Sequence, residues 1–196
     1  EYWIATESGL FIYNIKTGKY SNLRNKFNDP YSISDNAVYT LARDKEGGIW
    51  AGTYFGGVNY YPNQYTSFDK FFPQGGSNSL SGYAVREICN DKEGNIWIGT
   101  EDGGLNKLNH KTGVFEHFKP TGDKSSISHT NIHGLLVVDD ELWIGTFERG
   151  LDVMDIKTSK VIRHYRAGQA PNELKSNFIE SLLKTRSGEI LVGTSF

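Results

Sequence analysis

The chain has 196 residues, 21 basic against 23 acidic for a net charge of −2, and no basic run exceeds two residues. That excludes a nucleic-acid surface or a polybasic membrane surface, both of which need clustered Lys and Arg. Apolar runs such as "GLLVV" at 134–138 fall far short of the ~20 residues a membrane helix needs, and the lone Cys89 excludes an internal disulfide.

Taken in chain order, the apolar alternation and turn residues predict short strands throughout, and no segment of ten residues carries a helical stripe. Three strands fall between Tyr2 and Tyr20. Three groups of four follow, then two closing strands; the four first strands are expected at 36–44, 83–91, 130–138 and 177–185. The clearest copy runs from 83 to 118. There "YAVREICND" is a strand, "KEG" a turn, "NIWIGT" a strand, "EDGG" a turn, "LNKLN" a strand, "HKTG" a turn and "VFEHF" the last strand. Asp91 is placed to bond back to its own backbone, and Gly94 to take the left-handed conformation. Gly103 and Gly104 are both free to adopt positive φ.

The pattern is periodic. Trp3, Trp50, Trp97 and Trp143, with Leu191 in the fifth slot, fall at steps of 47, 47, 46 and 48, and the threonines Thr6, Thr53, Thr100, Thr146 and Thr194 keep those steps. Four antiparallel strands per repeat, with an aromatic in each copy, are the sequence cue for a β-propeller. The expected fold is all-β: a β-propeller segment of about four blades, each a four-stranded antiparallel sheet with a period of about 47 residues, in one domain over 1–196. The tryptophans sit mid-strand at one phase, so Trp50, Trp97 and Trp143 are expected in the core at equivalent places. The first and last segments stop inside the same second strand, which would leave unpaired edges. The expectation is an open arc from a larger array, its ends covered by further blades or by a second copy.

The phrase V-x-x-I-x-x-D-x-x-G-x-I-W-I-G-T-x-x-G-G-L, filled in at Val85 to Leu105, resembles the two-component regulator propeller repeat. Val38 to Val58 follows it closely. Ile132 to Leu151 follows it with one residue deleted and Val138 in place of the Asp. Ser32-Ile33-Ser34, Ser79-Leu80-Ser81 and Ser126-Ile127-Ser128 supply the serine-rich joint, whereas the last copy departs, with Thr185 for the Asp and Leu191 for the Trp. The resemblance implies a periplasmic sensor region of a bacterial hybrid histidine kinase that detects an oligosaccharide. It also implies as partners the remaining blades of the parent receptor and, for the segment itself, neither enzyme activity nor membrane contact.

Catalytic signatures are missing: no G-x-S-x-G elbow, P-loop, G-x-G-x-x-G after a strand or H-E-x-x-H. His129 and His133 lie ~13 Å apart along an extended chain, too far for one metal, so neither a metal nor a cofactor is expected. The acidic pair Glu101 and Asp102 reads as a polar turn rather than a glycosidase pair.

One face is more informative. The turns "DKEGG", "DKEGN", "KTGK" and "KTGV" nearly repeat, but the turn after each Thr differs: Tyr54-Phe55, Glu101-Asp102, Phe147-Glu148-Arg149. The position after each leading Val or Ile also differs, reading Tyr39, Arg86, His133 and Glu180. Drift on exposed loops would diversify a face, and so would a funnel binding a polar ligand with a stackable side, such as a sugar. These eleven residues are the candidate ligand site. Readings from other classes are a carbohydrate-active propeller enzyme (glycosidase or lyase) and a protein-interaction scaffold.

Overall fold

A computed structural model describes residues 1–63 and 68–195, and every regular element among them is a β-strand. The chain divides into two compact units, Glu1–Lys70 and Phe71–Phe196. In the first unit β1 (Tyr2–Thr6), β2 (Gly9–Tyr13) and β3 (Tyr20–Leu23) form one antiparallel sheet. Next come β4 (Val38–Arg43), β5 (Ile49–Thr53) and β6 (Val58–Tyr61) in a second, with β1 packed beside β4. The fourth strand expected in this second repeat adjoins residues 64–67, which lie outside the described residues. In the second unit the first four-stranded meander is β7 (Val85–Asn90), β8 (Ile96–Thr100), β9 (Gly104–Leu108) and β10 (Phe115–Phe118). Another follows: β11 (Ile132–Val138), β12 (Glu141–Thr146), β13 (Leu151–Asp155) and β14 (Lys160–Tyr165). A pair, β15 (Ile179–Lys184) and β16 (Ile190–Thr194), completes the unit. Antiparallel four-stranded sheets thus recur at a period of about 47 residues.

Each turn has a chemical cause. Asp91 accepts from the backbone N–H of Glu93 and Asn95 while Gly94 takes φ +85°. Asn14 and Asn109 each accept from the two N–H groups that open their "KTG" turns, and Gly18 and Gly113 follow at φ +68°. Thr53, Thr100 and Thr146 of the "GT" pairs donate their hydroxyls to the carbonyl across the next turn, as Thr100 Oγ1 does to Gly104 O at 2.9 Å. The paired glycines differ from expectation. Only the second, Gly57 or Gly104, has positive φ. The first is needed for space: a Cβ at Gly103 would stand 2.4 Å from the Ser81 backbone, and one at Gly56 2.8 Å from that of Ser34.

The joints explain the serines. Asn59, Asn106 and Asp152 occupy one third-strand position, and each accepts the backbone N–H of a joint serine, Ser34, Ser81 or Ser128, at 2.7–3.0 Å. Within the second unit, successive sheets are brought close by the glycine before each Thr. A Cβ at Gly99 would meet Ile132 at 2.7 Å, and one at Gly145 would meet Ile179 at 2.6 Å. The first strands consequently stand side by side, with β11 between β7 and β15.

The tryptophans do not share one environment, contrary to expectation. Trp97 is fully buried in a cluster with Leu135 and Ile144 of the following sheet, whereas Trp50 is 45% exposed. Trp50 lies in the last sheet of its unit and packs against Tyr60 of its own sheet, with ring centroids 4.7 Å apart. Both indoles are tethered alike: Nε1 donates to Asp44 in one repeat (3.1 Å) and to Asp91 in the next (3.0 Å). Where Val138 replaces that Asp, Trp143 Nε1 turns to Glu141 at 3.3 Å.

Candidate functional site

The site positions are set by a recurring irregularity of the backbone. The ladder of β4 with β5 slips between Val38 and Thr40, and that of β7 with β8 between Val85 and Glu87. The same slip falls between Ile132 and Gly134 on β11 and between Ile179 and Ser181 on β15. Each is a β-bulge, and the residues without a cross-strand partner are Tyr39, Arg86, His133 and Glu180. A bulge re-aims the side chain it carries.

In the first unit Tyr39 lies beside Tyr54 with centroids 5.3 Å apart, and Tyr54 meets Phe55 edge-on at 4.1 Å. All three are exposed, Phe55 at 86%. Asp35 holds this turn by accepting the N–H groups of Phe55 and Ala37, and these bonds keep its carboxyl below the usual carboxylate range.

In the second unit the three bulged residues converge. Arg86 Nη1 lies 3.3 Å from Glu101 Oε1, and Nη2 lies 3.5 Å from Glu180 Oε2. His133 Nδ1 stands 3.5 Å from that same Oε2. His133 is 7% exposed and flanked by Phe147 (5.8 Å) and Phe178 (5.0 Å). Its Nδ1 is buried without a formed hydrogen bond, so the 3.5 Å approach is an electrostatic contact, longer than an N–H···O bond prefers. Glu180 Oε1 accepts from Ser195 Oγ at 2.7 Å. That hydroxyl first, then His133 and Arg86, lower the Glu180 carboxyl below its ordinary range against an opposing desolvation.

Not every candidate joins this cluster. Asp102 turns back to accept the N–H groups of Tyr83 (3.1 Å) and Ala84 (3.3 Å), which makes it a tie between turn and joint. Glu148, in the left-handed region at φ 61°, and Arg149 are exposed, and neither side chain enters an ion pair among the described residues. Two members were missed by sequence reasoning. Ser195 follows Thr194 as Glu101 follows Thr100, so extending the turn column one copy further would have found it. Phe178 had no such signal. The described residues include no group of three or more His, Cys, Asp or Glu side chains able to hold a metal ion.

Sheet topology, turn chemistry and the bulge column define the class: an all-β repeat protein whose unit is a four-stranded antiparallel meander with a bulged first strand. Residues 32–55 and 79–102, each a joint followed by two strands, match the two component regulator propeller family. No curated protein matches the chain by sequence. Among solved structures it is similar to the extracellular domain of the proposed hybrid two component system BT3049 from B. thetaiotaomicron. The identity is 22%, over 98% of this chain and 35% of that one, with TM-score 0.47. It is similar also to that of the proposed one component system BT4673 from the same organism (20%, 98% and 33%, TM-score 0.49). A third is PorZ, a surface component of the type-IX secretion system of Porphyromonas gingivalis (18%, 98% and 29%, TM-score 0.50), a likeness of fold alone. The chain spans roughly a third of the length of each.

Proposed function

We propose that this chain is a non-catalytic, ligand-sensing β-propeller segment of a periplasmic two-component receptor, detecting an oligosaccharide. The candidate ligand residues are, in the second unit, the bulged Arg86, His133 and Glu180 with Glu101, Asp102, Phe147, Glu148 and Arg149, and, in the first unit, the bulged Tyr39 with Tyr54 and Phe55. The partners are the sugar, the remaining blades of the parent receptor and a second copy of the chain, and a histidine kinase carries the signal onward. Binding would act by favouring one arrangement of the receptor over another.

The observation that carries the reading is the convergence of three bulged residues, each of different chemistry, on one aromatic-walled cluster. Arg86 supplies donors, Glu101 and Glu180 supply acceptors, and Phe147 and Phe178 supply flat apolar faces. Neighbouring hydroxyls of a sugar require that mixture, since each hydroxyl both donates and accepts. The test is a glycan array on the full chain, followed by calorimetry and product analysis. A bound glycan should be released unchanged, and Arg86→Ala should weaken binding at least tenfold while Lys92→Ala, on the opposite turns, leaves it intact. Cleavage of the glycan would make the protein an enzyme instead. Equal affinity in wild type and Arg86→Ala would remove this cluster from recognition.

A further inference from the structure

One oxygen in the cluster is contested. Glu180 Oε2 stands 3.5 Å from Arg86 Nη2 and 3.5 Å from His133 Nδ1, two donors anchored on different strands, β7 and β11. Both separations are longer than the 2.7–3.2 Å an N–H···O bond prefers, and the 3.3 Å from Arg86 Nη1 to Glu101 only slightly so. Each donor has a further restraint. Arg86 is tethered on its other side to Glu101, and the His133 ring is fixed between Phe147 and Phe178 and all but removed from water. Ser195 holds the other oxygen, Oε1, so Glu180 can swing only Oε2 toward one neighbour or the other.

We infer that this cluster is a proton-coupled switch, in which protonated His133 draws Glu180 Oε2 away from Arg86 and neutral His133 leaves it to Arg86. The balance of charge sets the direction. Among the described residues, the charged group in contact with His133 is Glu180 from β15, which is linked to Arg86 from β7 and through it to Glu101 from the turn after β8; the rings of Phe147 and Phe178 carry no charge. With His133 neutral, one cation stands between two carboxylates. A proton on Nδ1 gives each carboxylate its own cation: Glu180 with His133, Glu101 with Arg86. Imidazole is the side chain that changes charge in mildly acidic solution, where carboxylates and guanidinium do not. The consequence is that Arg86 changes partners as the medium acidifies. Any ligand that engages Arg86 or Glu180 is thereby linked to the proton.

This inference rests on reading the cluster as a functional site, but its test needs no ligand, so it can fail while sugar binding stands, or the reverse. The measurement is side-chain NMR of the full chain from pH 5 to pH 8, following the His133 ring and the Arg86 Nε–H group. In the wild type the Arg86 signal should move with the same midpoint as His133. In Glu180→Gln the ring should still titrate while Arg86 stays flat. In His133→Gln, which keeps a polar side chain of similar reach, Arg86 should also be flat. An Arg86 signal that is flat in the wild type, one that moves equally in His133→Gln, or a His133 ring that does not titrate over this range would each overturn the switch.

Discussion

Replacing Asp91 with alanine removes four hydrogen bonds at once. Its carboxylate accepts from the backbone N–H of Glu93 and Asn95, from the Asn95 side chain at 3.1 Å and from the Trp97 indole at 3.0 Å. Trp97 is fully buried and Asn95 is 3% exposed, so in the variant neither side chain can turn to water. A bond to a charged acceptor contributes about 1.5–3 kcal/mol, and an orphaned buried donor costs about 1–3 kcal/mol. These overlap rather than add, because the lost bond and the orphaned donor describe the same event from two sides. The expected destabilisation is therefore about 3–5 kcal/mol. Asp44 is the internal control. It makes the same turn and the same indole contact, but Trp50 is 45% exposed and water can replace the carboxylate, so Asp44→Ala should do far less. Denaturant titration followed by the indole N–H signals of Trp97 and Trp50 reports each repeat separately. Equal losses in the two variants would refute the claim that burial of the indole sets the magnitude. The same geometry fixes a pH window. Desolvation is the largest single influence on Asp91 and raises its pKa, but the bonds from Asn95, Trp97 and Glu93 together outweigh it and leave the pKa lowered. A depressed carboxylate contributes stability above its unfolded pKa of about 3.9 and loses it as pH falls through the folded value, so the wild-type advantage over Asp91→Ala should vanish in strong acid.

Further predictions concern glycines and the substituted tether. Gly145→Ala would place a Cβ 2.6 Å from Ile179 and should destabilise the second unit by about 1–3 kcal/mol, seen in the same titrations. Gly104 and Gly113 both have positive φ, but a Cβ at Gly104 meets Phe118 O at 2.5 Å while one at Gly113 meets nothing within 4 Å. Gly113→Ala should therefore lose only the left-handed penalty of about 1–2 kcal/mol, with Gly104→Ala clearly worse by calorimetric Tm. Glu141→Ala removes the acceptor shared by Trp143 and Arg163 (2.6 Å) at a half-exposed place, so a loss of about 1 kcal/mol or less is expected.

The strands, their order and the turns between them were legible because each rests on local chemistry written in one copy and repeated in the next. The Trp-to-Thr spacing carries the register, and Asp91, Asn109 and Gly94 carry their turns. What could not be read was whatever depends on a neighbouring sheet. Trp50 and Trp97 occupy the same place in their repeats, yet one is exposed and the other buried, because burial is decided by the sheet that follows within the unit. Gly103 was read as a conformational glycine and proved to be a spatial one, since its need arises from Ser81, twenty-two positions away. Asp102 is a candidate ligand residue by sequence but is tied to the joint for the same kind of reason. The bulges were also hidden. The sequence offers no extra residue at Tyr39, Arg86, His133 or Glu180, and a strand glycine stands beside only one of them, Gly134 after His133, so the common slip becomes visible only when the two strands are laid side by side.

That slip accounts for why one fixed scaffold tolerates so varied a column. A side chain within a regular ladder faces a partner across the strand, and aromatic, charged or small neighbours there change stability by roughly 0.2–1 kcal/mol each. The bulged residue has no such partner. Tyr, Arg, His and Glu can follow one another at equivalent places while the pairs on either side stay fixed: Val38 with Thr53, Val85 with Thr100, Ile132 with Thr146, Ile179 with Thr194. Freedom from pairing also permits drift, and drift alone would leave these residues pointing past one another. Instead Arg86 reaches across β11 to Glu180, ninety-four positions distant, and His133 is buried against the same carboxylate. A buried imidazole without a formed hydrogen bond opposes stability, so it is a poor product of selection for folding alone. Ladder residues hold the sheets together, and the residue released at each bulge is free of that pairing.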